Sequence, residues 1–233
     1  MADDSFKKLP VAFILTGSFK YFNSKPLAML VFSVLNYITV VIGVYTWRTP
    51  GFFVLLIFAY ALWCYFFRFY FDKKPYLQLK SMGSSLAPST KILFLSFAVM
   101  TLLILLPFAL PFLGLGDTDY YLRFLNDKQT LDTVAGVVGI FLAPFLFFRP
   151  FFAWIGSVLG RNGNLRFAMS RTKGNYWQIV ALLLILNIPF VIVEQVSQVF
   201  DFPNYLLFLL LSPLIVYANL VIARSYEFFF IED

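Results

Sequence analysis

The chain has 233 residues, of which 61% are hydrophobic, 21% aromatic and only 13% charged. Soluble domains run near ~45–50% apolar and ~25% charged, and a water-facing surface made from this composition would expose large apolar patches and aggregate. There is no histidine, which removes the commonest general base, metal ligand and triad partner together; the single cysteine, Cys64, excludes an intramolecular disulfide and a cysteine-based metal site.

An integral membrane protein is the class that remains. The net charge of +6 does not indicate nucleic acid, because the basic residues flank apolar runs, as cytoplasmic loops of membrane proteins do. Lys7 and Lys8 precede a short apolar stretch, 11–15, followed by Thr16-Gly17-Ser18-Phe19-Lys20. That pattern lacks the apolar core and small-residue cleavage site of a signal peptide, so no cleavage is expected.

In chain order, 1–8 is polar. Residues 9–22 form the first "elbow", a short amphipathic helix with Val11, Ala12, Leu15, Phe19 and Phe22 at helical spacing. Lys20, Asn23, Ser24 and Lys25 return the chain to the head groups, and Pro26 suits the first turn of the next helix. The run 27–47 is the first span, with Asn36 as its one strongly polar side chain; spanning takes roughly 20 apolar residues. Trp47-Arg48-Thr49-Pro50-Gly51 makes a turn at the far interface, with Trp47 as a belt residue. The second span, 52–71, ends at Arg68, Asp72, Lys73 and Lys74, a basic edge.

A second elbow covers 76–88, and the third span, 92–112, carries Pro107 and Pro111 near its far end. The stretch 114–132 is the longest polar connection, with a short interfacial helix expected around Tyr120–Leu125, capped by Asp117 or Thr118. The fourth span is 133–156; Gly136 and Gly139 permit close helix approach. After a turn at 157–164 comes the third elbow, 165–173, with Leu165, Ala168, Met169 and Thr172 expected on one face and Arg166, Ser170 and Lys173 on the other. The fifth span, 177–198, is expected to be interrupted halfway by Asn187 and Pro189. The sixth, 205–223, is closed by Arg224, leaving Phe228-Phe229-Phe230-Ile231 as a short apolar tail.

Topology follows from charge. Lys7, Lys8, Lys20, Lys25, Arg68, Lys73, Lys74, Lys80, Lys91, Arg149, Arg161, Arg166, Arg171, Lys173 and Arg224 fall on one side, and only Arg48, Arg123 and Lys128 on the other. Both termini are then cytoplasmic, as six spans require. The expected fold is an all-α polytopic membrane protein: one integral membrane domain, 1–233, with six transmembrane helices in three tandem elbow–helix–helix units near 9–74, 75–160 and 163–229.

The third elbow, Phe167-Ala168-Met169-Ser170-Arg171-Thr172-Lys173-Gly174-Asn175-Tyr176-Trp177, resembles the A-x-x-x-T-K-G-N-x-W pattern of a bacterial membrane family. That family is typified by the membrane domain of glycerophosphoryl diester phosphodiesterase and by YciC-like proteins. The first and second elbows, with Thr16-Gly17-Ser18 and Gly83-Ser84-Ser85, depart from the pattern. The resemblance implies an inner-membrane domain of six spans in elbow-led pairs without catalytic activity, and it carries over no functional residues.

No catalytic constellation, metal site or cofactor motif is present, and a non-enzymatic protein is expected. Arg68, Arg149 and Arg224 each end the second helix of a pair. Converging, they would form a cationic ring for the anionic head of a lipid-like molecule; otherwise each snorkels to the cytoplasmic interface. Lys20, Lys80, Arg166, Arg171 and Lys173 on the elbows are candidates for anchoring to anionic lipids of the inner leaflet. Glu194 is the one carboxylate well inside a predicted span: either a proton or ion site, or a group reaching the outer interface with Gln195 and Gln198. Asn36, Asn187 and Asn219 are expected to hold helices together. Two functions follow: binding, shielding or transporting an amphipathic molecule, or serving as a structural subunit whose Phe-rich faces dock membrane-protein partners or further copies of itself.

Overall fold

The computed structural model describes residues 8–71 and 148–231, and all regular structure among them is helical. In chain order the helices are α1 (Val11–Ser24), α2 (Pro26–Thr46), α3 (Gly51–Tyr70), α4 (Arg149–Val158), α5 (Leu165–Arg171), α6 (Tyr176–Val199) and α7 (Asn204–Phe230). Four of them, α2, α3, α6 and α7, are long and apolar enough to cross a membrane. The second elbow with Lys80, the third span, the polar stretch 114–132 and the fourth span before Phe148 lie outside the described residues.

The described chain falls into two compact units. One comprises Met1–Leu79 and Trp177–Asp233, the other Lys80–Tyr176. In the first, α1 gives way to α2 at Lys25, whose backbone (φ −129, ψ 55) leaves the helical region. Pro26 causes this, because its ring disfavours helical geometry in the residue before it while suiting the first turn after it. The α2–α3 turn is closed by Thr49 N–H donating to the Thr46 carbonyl at 2.8 Å.

Helix α2 packs against α3 and α7, and α1 lies on α7. The inward side of α2 carries Met29, Phe32, Ser33, Asn36 and Thr39, all buried, while Leu27, Leu30, Val31, Val34 and Ile38 are exposed. Such an apolar exterior suits a hydrocarbon surrounding. Phe32 meets the Phe66 ring edge-on at 4.9 Å, fixing α2 to α3. Between α2 and α7 the hydroxyls of Ser33, Thr39 and Ser212 donate to carbonyls of their own helices. Asn36 Nδ2 donates across the seam to Ser212 Oγ at 3.3 Å, the interhelical tie expected of it. Asn219 instead donates to the Ile215 carbonyl of its own helix, and Asn187 is exposed.

Two sequence expectations are corrected here. Pro189 and Asn187 do not interrupt α6, which is helical from Tyr176 to Val199. Nor does the last helix stop at Arg224: α7 continues to Phe230, and the expected tail residues Phe228 and Phe229 are buried in it.

In the second unit α4 packs on α5. Helix α4 is buried almost all round, including Arg149, Phe152, Trp154 and Ile155. A methyl on Gly163 would overlap Ser157 Oγ and stand 3.0 Å from the Ala153 carbonyl oxygen, so only glycine lets the chain pass this close to α4. Asn164 then caps α5, its Oδ1 accepting the Arg166 N–H at 2.9 Å. Ala168, Thr172 and Asn175 are essentially fully buried. Thr172 donates its hydroxyl to the Ala168 carbonyl at 2.9 Å, Asn175 Nδ2 donates to the Lys173 carbonyl at 3.3 Å, and Gly174 adopts φ +80. These residues account physically for the A-x-x-x-T-K-G-N spacing: two small buried side chains one turn apart, a left-handed glycine and a buried amide. The buried face is narrower than expected, since Met169 is 45% exposed and Leu165 only half-buried.

Candidate functional site

Chemically distinctive side chains gather in the first unit where the end of α3, the end of α7, α1 and the start of α2 meet. Tyr70, the last residue of α3, donates its hydroxyl to Glu227 Oε2 on α7 at 2.9 Å. Arg224, one turn before Glu227, forms an ion pair with the same oxygen through Nη1. The Arg224 guanidinium lies 5.4 Å over the ring of Phe13 on α1. Gly17 keeps α1 close there: a methyl at this position would stand 3.4 Å from Arg224 Nε. From the other side, the ring of Tyr21 on α1 packs against that of Tyr70 at 4.7 Å, the two planes tilted by 49°. The Lys25 ammonium sits between the rings of Tyr21 and Phe69, 5.1 and 5.0 Å from their centroids. A charge lying on aromatic faces keeps its attraction for anions while losing conformational freedom.

Arg68 and Arg224 thus belong to one unit; Arg68 lies in the last turn of α3, as expected, and is half-buried, whereas Arg224 lies inside α7 rather than at its end. Arg149 belongs to the other unit, where it opens α4 and is only 7% exposed. It does not protrude as a snorkelling side chain would. Arg224 is met by a carboxylate from its own helix; Lys20, Lys25 and Arg68 are the further basic side chains on the segments that meet here. Lys20 is exposed on α1, as are Arg166, Arg171 and Lys173 on and after α5, where Arg171 lies 5.5 Å over Phe167. Glu194 is exposed on α6 together with Gln195 and Gln198.

Glu227, Tyr70, Phe13 and Lys25 are participants that sequence reasoning did not assign to the site. The signal available was the three-residue spacing of Arg224 and Glu227, which puts both on one helical face once α7 is carried past Arg224. No family model, curated protein or solved structure matches this chain.

Proposed function

We propose that this chain is a non-enzymatic, multi-pass protein of a bacterial inner membrane that binds, shields or moves an amphipathic molecule by holding its anionic head at the basic end. Six spans in three tandem elbow–helix–helix units place both termini in the cytoplasm. The four long apolar helices support the membrane setting.

The observation that carries the functional reading is the fixed placement of cations by aromatic rings and one carboxylate. Lys25 is held between Tyr21 and Phe69, and Tyr21 leads through Tyr70 and Glu227 to Arg224. Arg224 stiffens this rim, while Lys25 and Arg68 supply its attraction for a phosphate or carboxylate head. Arg149 plays the corresponding part in its own unit. The test is native mass spectrometry of protein released from mild detergent. The wild-type chain should retain anionic phospholipid over zwitterionic lipid, and R68Q/R149Q/R224Q should lose it while still folding, with a lowered melting temperature because Glu227 loses its counter-ion. Equal retention by a folded triple variant rejects the proposal.

A further inference from the structure

The face that α1 leaves uncovered has a definite character. At helical periodicity Leu15, Phe19 and Phe22 fall within roughly a quarter turn, and Thr16, Lys20 and Asn23 within the next. Phe19 is 58% exposed, Leu15 and Phe22 are half-buried, and the three polar residues are all exposed. On the opposite side Ile14 and Ser18 are fully buried.

The depth of this helix is set by the spans it touches. Tyr217 on α7 donates its hydroxyl to the Leu15 carbonyl at 3.1 Å, while Arg224 on the same helix lies over Phe13. Those two residues stand seven positions apart, about 10 Å of helix. Helix α1 therefore lies alongside the final stretch of a spanning helix rather than above its end, and it runs into α2, a second candidate span, at Pro26.

The geometry points to α1 as a lipid-seated helix: its Phe19 flank enters the acyl chains of the leaflet, and Lys20 meets anionic head groups at the water boundary. A helix of this kind lies about 5–10 Å into the head-group and acyl boundary, apolar side down and basic side up, which matches the overlap with α7. Charge complementarity selects bilayer over a further protein chain as the occupant, because exposed Lys20 borders the apolar flank and anionic lipid attracts such residues. The inference rests on the membrane setting but not on head-group capture by the rim.

Nitroxide labels test it, placed one at a time by Thr16→Cys, Phe19→Cys and Asn23→Cys in a Cys64→Ser background. The protein is reconstituted in vesicles of phosphatidylethanolamine and phosphatidylglycerol. The label at 19 should collide with dissolved oxygen several-fold more than with a water-soluble nickel chelate, and labels at 16 and 23 should show the reverse. Equal nickel access at 19 and 23 would put the flank in water; shielding at 19 from both reagents would put a protein over it. Either result overturns the proposal. In the unsubstituted protein, a phospholipid with a photoreactive acyl chain should label the peptide containing Leu15, Phe19 and Phe22. Labelling confined to the spanning helices would count equally against it. Loss of lipid retention in the arginine variant, with position 19 still in hydrocarbon, would remove head-group capture and leave the seating of α1 standing.

Discussion

Glu227 holds two donors on one oxygen, and they are not equivalent. Tyr70 is a neutral hydroxyl that water or a neighbouring carbonyl can satisfy if the bond is lost. Arg224 is a half-buried charge that needs its counter-ion. Tyr70→Phe should therefore cost about 0.5–1.5 kcal/mol, the net worth of one hydrogen bond. Glu227→Ala strands the guanidinium near Phe13 and frees Tyr70 as well, and it should cost about 1–3 kcal/mol. Thermal unfolding in detergent, followed by circular dichroism, measures both. The expected order is Glu227→Ala below Tyr70→Phe below wild type; equal melting of the two variants would show that the ion pair contributes nothing beyond the hydrogen bond. The same pairing explains why Arg224 misleads a reader of the sequence. An arginine after a long apolar run marks the membrane boundary when its charge is bare, but here Glu227 meets that charge one turn later, so α7 continues and buries Phe228 and Phe229.

Among the elements, α4 and α5 show how closely a turn can be constrained. Gly163→Ala forces a methyl into Ser157 Oγ and toward the Ala153 carbonyl, and the backbone of α4 cannot yield. It should destabilise by about 1–3 kcal/mol, the usual cost of overpacking. Adding Ser157→Ala removes the hydroxyl clash but leaves both the carbonyl at 3.0 Å and the Cβ at 3.1 Å, so partial rescue is expected and complete rescue would contradict the geometry. The existence of the elements themselves was legible. Unbroken apolar runs bounded by Pro26, Pro50 and Asn204 gave α2, α3 and α6 to within a residue and the start of α7, though not its end, because continuous apolarity and turn chemistry are local properties. What was not legible depends on partners. Pro189 reads as a breaker, yet α6 passes through it, as membrane helices tolerate when neighbouring groups meet the freed backbone. Arg149 reads as a side chain bound for the surface but is buried, and Met169 reads as inward but points out. Burial is a property of the packed molecule, and periodicity carries no record of it. The rim is the extreme example: Phe13, Tyr70 and Glu227 come from three helices and Lys25 from the junction of α1 and α2, stretches far apart in the chain.

For the molecule as a whole, the distribution of cations makes the arrangement across the membrane testable without knowing any ligand. Thr49 lies in the exposed turn between α2 and α3 beside Arg48, the one cation there. Asn162 lies in the exposed turn between α4 and α5, flanked by Arg161 and Arg166. Translocating that second loop would carry clustered positive charge outward, against the bias that orients membrane helices. In a Cys64→Ser background, Thr49→Cys should react with a membrane-impermeant maleimide in intact spheroplasts, and Asn162→Cys only after permeabilisation. Those two positions alone do not separate four crossings from six, since both arrangements return residue 162 to the inside. Thr118 does, because it sits in the polar stretch between the predicted spans 92–112 and 133–156. With six crossings Thr118→Cys should label from outside like Thr49→Cys; with four it should be protected like Asn162→Cys. Outward labelling at 162 would reverse the charge-based orientation altogether, leaving the basic end of the first unit facing the periplasm, where Lys20, Lys25 and Arg68 would meet a different leaflet from the one proposed.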